Sequence, residues 1–152
     1  RSIKMTIKFY RPSEKPYGCF SNFSRHSISL DSHIWPTTEH YFQAQKTKDR
    51  DRYFEILKAS TPKEAAALGR DRSIPIKQDW EQIKDDVMRK CVFKKFETYA
   101  DIREILLNTG QSDIVEDSPY DDYWGIGRDG NGKNVLGKIL VETREKLRLV
   151  PV

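Results

Sequence analysis

Apolar and polar residues alternate at the start of the chain, where Ile3, Met5, Ile7 and Phe9 are interleaved with Lys4, Thr6, Lys8 and Tyr10. A period of two puts every second side chain on the same side, which predicts a strand with one buried face. Ile28 and Leu30, then Ile34, stand on either side of Asp31-Ser32. Those two residues suit a tight turn, so a short hairpin is expected there. From Thr37 the period lengthens, and helices are expected to dominate as far as Asn108. Thr61-Pro62-Lys63-Glu64 has the makings of a helix start: an N-cap threonine, a proline at the first helical position and a capping-box glutamate. Gly69 reads as the end of that short helix.

Trp80, Ile83, Val87 and Cys91 recur at steps of three and four, with Met88, Val92 and Phe96 alongside. The spacing predicts the longest helix over 80–98, forming a wall of the core. Ile102, Ile105, Leu106 and Leu107 predict a further helix closed by Gly110. Ile114-Val115 suggests a strand, and Leu136, Ile139, Leu140 and Leu147 mark a C-terminal helix. Without an internal repeat or a low-complexity linker, these elements define one α+β domain over 1–152, predominantly helical with a small β-sheet.

The composition supports a folded chain. At 152 residues, with 37% hydrophobic and 33% charged residues, the chain can bury a core beneath a charged surface and is not disordered. No apolar run approaches the ~18 residues of a membrane span, and RSIKMTIKFY has no signal-peptide core, so no membrane role is expected. Cys19 and Cys91 lack CxxC spacing, which argues against a disulfide framework or a zinc site and fits the cytosol or nucleus. His26, His33 and His40 have no metal-ligand spacing; neither a metal nor a cofactor is expected, and His40 should pack beside Glu39.

Charge adds a partner class. The formal charge of +4 concentrates in GRDRSIPIK (69–77) and MRKCVFKKF (88–96), which suits a phosphate-bearing partner. The second cluster reads equally well as a solvated helix face.

Two stretches carry candidate chemistry. In WPTTEHYFQAQK (35–46), Glu39, Gln43 and Lys46 stand at i, i+4 and i+7 on one helix face, while Tyr41, Phe42, Ala44 and Gln45 turn elsewhere. An inward polar stripe is costly unless it holds a ligand. Alternatively, Glu39 merely favours the helix dipole after a Thr37 cap, with Gln43 and Lys46 solvated. WGIGRDGNGKNVLG (124–137) holds five of the eight glycines. Such a loop can adopt positive φ and approach a ligand, and it leads into a helix N-terminus whose N–H groups favour anions. It lacks the Walker ending and the strand-first context of a dinucleotide fingerprint, and a tight surface connection is the other reading.

Five stretches in order, YGCFSNFS (17–24), WPTTEHYFQAQK (35–46), AALGRDRSIPIKQDW (66–80), VMRKCVFKKF (87–96) and YWGIGRDGNGKNVLG (123–137), resemble the NADAR family of YbiA-like N-glycosidases. The resemblance reaches across nearly the whole chain. It implies an enzyme that breaks the bond between the anomeric carbon of ribose and a nitrogen. Two substrate types are implied: phosphoribosylaminopyrimidine intermediates of riboflavin synthesis, and ADP-ribose attached to guanine, including guanine in DNA.

C–N cleavage at an anomeric carbon builds positive charge on the sugar, which a carboxylate can stabilise or relieve by activating water. Glu39 matches the family's helix glutamate. Lys46 offers a second route, as a neutral amine that attacks the anomeric carbon and forms a Schiff base; this requires a depressed pKa. A Lys46 ammonium that anchors a phosphate or pairs with Glu39 is the alternative. Trp124 matches the family tryptophan and could stack on the base. Gly125, Gly127 and Asn134 match the loop expected around the sugar or phosphates. Asn22 and Phe23, in the first family motif, and Gln43, on the polar helix stripe, are candidates for substrate contact, and Arg70 suits a phosphate clamp. Asp122 is a further catalytic candidate, able to bond ribose hydroxyls or assist the acid/base work, although DDY reads equally as an exposed turn. Some relatives carry an acidic residue after the WG pair, where this chain has Ile126, so a carboxylate at that point is not essential here. The reading from another class is a module that binds ADP-ribose or nucleic acid without turnover.

Overall fold

The computed structural model describes residues 5–150; Ile3 and Lys4 of the opening alternation lie outside the described residues. In chain order the elements are β1 (Thr6–Phe9), β2 (Ile28–Leu30), β3 (His33–Trp35), α1 (Thr38–Ala44), α2 (Arg50–Leu57), α3 (Pro62–Arg70), α4 (Trp80–Thr98), α5 (Ala100–Leu107), β4 (Asp113–Glu116) and α6 (Val135–Arg148). The class is α+β as expected, with two separate two-stranded sheets in place of one small sheet. The chain forms two compact units. One is continuous, residues 25–95, and the other is assembled from the described residues on either side of it.

In the continuous unit β2 and β3 pair antiparallel, with Ile28 opposite Trp35 and Leu30 opposite His33. The expected hairpin is present. Asp31 and Ser32 both take left-handed φ, 55° and 67°, the conformation that matches the twist of the flanking strands in a two-residue turn. The Asp31 carboxylate accepts from Tyr41 Oη at 2.8 Å and pairs with Lys90 Nζ at 3.0 Å, so the turn is tied to α1 and α4.

The longest helix runs over the predicted residues. Met88, Cys91, Val92 and Phe96 are buried, whereas Ile83 and Val87 are half-buried. Burial pushes the Cys91 thiol up to about 12, which keeps it protonated and unreactive. The basic cluster on α4 is no single solvated face: Lys95 is only 1% exposed, while Arg89 and Lys90 pair with Asp86 and Asp31. At α3 the cap is as predicted, with Thr61 Oγ1 accepting from the Glu64 N–H at 3.0 Å. The Glu64 carboxylate, however, accepts from Ser60 Oγ. The helix also does not stop at Gly69, which lies inside it.

In the other unit β1 and β4 pair parallel, from Thr6 opposite Asp113 to Phe9 opposite Glu116. The buried face of β1 narrows to Phe9: Met5, which precedes the strand, is 65% exposed. Phe9 and Phe96 each meet the Phe20 ring edge-on, at 5.8 and 5.9 Å, forming an aromatic centre. Gly110 closes the turn after α5 at φ 65°, as expected. Arg144, buried on α6, donates to Thr109 Oγ1 and Ser112 O and thereby fixes the connection from α5 to β4.

α6 packs directly on β4. A Cβ at Gly137 would collide with Ile114 O and the Asn134 carboxamide, so only glycine allows this approach. Gly137→Ala is therefore expected to destabilise the protein by about 1–3 kcal/mol, the usual cost of forcing extra volume into a packed interface. A chemical denaturation midpoint equal to that of the parent would contradict such close packing. No helix among the described residues is long and apolar enough to cross a membrane.

Candidate active site

Thr37 starts α1. Its backbone is extended and its Oγ1 accepts the His40 N–H at 3.1 Å. Tyr41, Phe42 and Ala44 then fall on buried positions, which leaves Glu39 half-buried in the first turn, where a carboxylate favours the helix dipole. Gln43 follows one turn later, 6% exposed, and its Nε2 donates to Glu39 Oε2 at 2.7 Å. Gln43 Oε1 is buried without a hydrogen-bond partner.

Lys46 does not extend this helical stripe. α1 ends at Ala44, and Lys46 lies in the following turn, its N–H donating to Gln43 O and its carbonyl accepting from the Lys77 N–H at 2.7 Å. The side chain still returns toward α1, with Nζ 5.8 Å from the centre of the Phe42 ring. Burial, then the Arg72 guanidinium, hold the amine below the ordinary lysine range, with Arg70 and Lys84 adding to the effect and Glu39 opposing it.

These cations are set by the end of α3. Arg72 donates to Gly69 O at 2.7 Å, and Arg52 donates to Leu68 O at 2.8 Å and to Asp71 at 3.1 Å, so two guanidiniums satisfy the terminal carbonyls of the helix. Arg70 is exposed on the last residue of α3. A small pocket is lined by Gln43, Lys46, Thr47, Arg52 and Gly69, with Ile76 among its apolar walls.

His40 points away from this chemistry into the core. Its Nε2 lies 3.0 Å from Ala59 O and its Nδ1 2.8 Å from Thr37 Oγ1. A carbonyl only accepts, so Nε2 carries the proton and Nδ1 accepts from the threonine hydroxyl. Burial depresses the pKa of this imidazole and keeps it neutral. The unfolded chain therefore takes up the proton first as pH falls below about 6.5; stability is full above that value and is lost on acidification. The melting temperature is expected to drop between pH 7.5 and pH 5, and the drop should shrink in His40→Gln. An unchanged drop in that variant would assign the acid sensitivity to other groups.

In the other unit Asp122, Trp124, Gly125, Gly127 and Asn134 gather in one connection. Asp121 makes its turn, accepting the Tyr123 and Trp124 N–H groups at 3.0 and 2.8 Å, while Asp122 is exposed. Trp124 is half-buried, edge-on to Tyr123 at 4.9 Å. The glycines mostly serve close packing. Gly127 and Gly130 take positive φ, but a Cβ at Gly125 would meet Glu116 O and one at Gly132 would meet Gly125 O. The Asn134 carboxamide accepts from the Glu116 N–H and donates to Ile114 O, both at 2.9 Å, and so braces the loop against β4.

The helix N-terminus expected to receive an anion is already occupied. The Val135 and Leu136 N–H groups donate to Tyr123 O and Trp124 O at 3.0 and 3.1 Å. Asn22 is buried and Phe23 half-buried, in a turn where the Phe23 N–H donates to Ser21 Oγ at 3.1 Å. Among the described residues no group of three or more His, Cys, Asp or Glu side chains could hold a metal ion.

The fold thus brings together Glu39, Gln43 and Lys46, with Arg70 in electrostatic reach of Lys46. It adds Arg72, which sequence reasoning passed over in favour of Arg70 although both stand in the basic run 69–77. It also adds Gly69, whose only sequence signal was a glycine that looked like a helix stop.

A model of the NADAR domain matches residues 8–148. An N-glycosidase of Nostoc punctiforme is 50% identical over 95% of this chain and 94% of its own length. N-glycosidase YbiA of Escherichia coli is 48% identical over 94% of this chain and 89% of its own. The NMR structure of YbiA superposes with a TM-score of 0.89, at 46% identity, over 98% of this chain and 89% of that one. The riboflavin biosynthesis protein PYRR of Zea mays is 42% identical over 93% of this chain, which spans 25% of that longer protein. With the match running almost end to end in both sequence and fold, the chain belongs to the NADAR family.

Proposed function

We propose that the chain is an N-glycosidase that cleaves the C–N bond between ribose and a base nitrogen. Its substrates are ADP-ribosylated guanine, in DNA or as the nucleoside, and phosphoribosylaminopyrimidine intermediates of riboflavin biosynthesis. The observation that carries the reading is Lys46: a half-buried amine held below its usual range beside Arg72, within the field of Glu39. The names of the relatives support the reaction class, and the maize protein's name supports the second substrate type.

In this reading Nζ of Lys46 attacks the anomeric carbon as the free amine, the C–N bond to the base breaks, and the proton that the bound amine gives up passes to the nitrogen of the departing base. The ring C–O bond then opens to a protonated imine on Lys46, the ring oxygen taking a proton from water; water adds to the imine carbon, its C–N bond to Lys46 breaks, and the sugar leaves with the amine regenerated. Glu39 stabilises the positive charge that builds at the anomeric carbon and deprotonates the attacking water. Arg70 and Arg72 supply oxyanion contacts for substrate phosphates.

The test is mass-spectrometric detection of free ADP-ribose from an oligonucleotide ADP-ribosylated on guanine, alongside detection of free ribose phosphate from the aminopyrimidine. Release from either supports the reading and identifies the substrate. If both stay intact while ADP-ribose binds, the protein is a binding module and the reading falls.

A further inference from the structure

We propose that Gly69 and Gln43 form a positioning device for Glu39, in which the missing side chain at Gly69 is the slot that seats the Gln43 carboxamide. The inference rests on the N-glycosidase reading for its kinetic consequences, but its geometry stands apart from any substrate.

Gly69 is the penultimate residue of α3, which ends at Arg70. It takes no positive φ, so the left-handed backbone that usually calls for glycine at a helix end is not its reason. What it does provide is room. A Cβ built there would run into Gln43 Oε1, with Gln43 Cδ and Cβ at 2.7 and 3.0 Å. The carboxamide of Gln43 therefore lies flat against the backbone of α3, and its oxygen is buried without a hydrogen-bond partner.

A buried amide that leaves its acceptor unsatisfied is held there by something other than its own hydrogen bonding. The other end of the same amide explains the arrangement, since Nε2 donates to Glu39 Oε2 at 2.7 Å. Packing against Gly69 fixes the rotamer of Gln43, and Gln43 fixes one oxygen of Glu39. Gln43 is then a positioning residue, wedged between Gly69 and Glu39.

Gly69→Ala should drive the Gln43 amide from its slot. The expected result is a kcat lowered by about 10- to 100-fold, the scale on which a misplaced catalytic group costs rate, with KM within about twofold. Gln43→Ala should do the same. Adding Gly69→Ala to Gln43→Ala should cost nothing further, because the truncated side chain leaves space for the new methyl group. Losses that instead multiply in the double variant, or a Gly69→Ala enzyme with the parent's kcat, would overturn the proposal.

A second readout needs no turnover. In NMR spectra of the whole protein, the Gln43 side-chain amide protons should titrate with Glu39, and the titration should vanish in Glu39→Gln and in Gly69→Ala. Its absence in the parent protein overturns the proposal even if the enzyme is active. Its presence in a protein that cleaves neither ribosyl substrate upholds the device while the N-glycosidase reading fails.

Discussion

Glu39→Gln is expected to lower kcat by about 10²–10⁴-fold, the range that a positioned acid or base contributes, while KM changes little. The fold should tolerate the change. The new carboxamide can turn its oxygen toward Gln43 Nε2 and keep the bond now made at 2.7 Å. Steady-state kinetics with thermal melts would check both halves. Full turnover in the variant would remove Glu39 from the chemistry, and a protein whose affinity for ADP-ribose is unchanged but which never had turnover to lose would be a binder.

Lys46→Met is expected to abolish turnover and, with it, the borohydride-stable sugar adduct that the parent should form on Lys46. The neighbouring cation supplies a more discriminating variant. Burial and, after it, Arg72 hold the Lys46 amine below its usual range, so removing the Arg72 charge in Arg72→Gln lets the ammonium persist to higher pH. Less free amine is then available near neutrality. Activity should fall at pH 7 and recover as the buffer is made more alkaline, so that the acid limb of the profile shifts upward. A profile that only loses height would mean that Arg72 serves the phosphates and leaves the amine alone. Adduct formation on Lys46→Met would place the covalent link elsewhere.

How far the sequence could be read depended on whether the cause of a feature was local. α4 was legible to the residue, because its apolar spacing and its boundaries both lie in its own sequence. The β2–β3 turn was legible for the same reason: Asp31-Ser32 can carry the left-handed backbone that the turn requires. The end of α1 was not. Nothing in Gln45-Lys46-Thr47 breaks a helix; the chain departs because Lys46 O is bonded to the N–H of Lys77, thirty-one positions on in sequence but adjacent in space. Gly69 misled in the opposite way, since a glycine that stops a helix and a glycine that admits a neighbour look identical in one dimension.

The candidate site followed the same division. Glu39 and Gln43 are one turn apart, and their contact could be anticipated from spacing. The pressure of Arg72 on Lys46 could not, because it arises where the end of α3 meets the turn after α1. The glycine-rich connection also showed the limit of composition. Its glycines suggested a cradle for a ligand, yet Gly125 and Gly132 are needed because backbone crosses backbone, and the helix that follows has its first donors already engaged.

The division of the chain into a continuous unit and an interrupted one has a consequence for synthesis. Residues 25–95 find their partners within one uninterrupted stretch, and Glu39, Gln43, Gly69, Lys46 and Arg72 all belong to it. β1, by contrast, is made before that stretch, and its partner β4 begins at Asp113, after it. Pairing over so long a separation is slow, because the closure entropy comes due before any contact rewards it. On the ribosome the early strand must therefore wait with its ladder unmade while the unit that carries the candidate chemistry can already assemble.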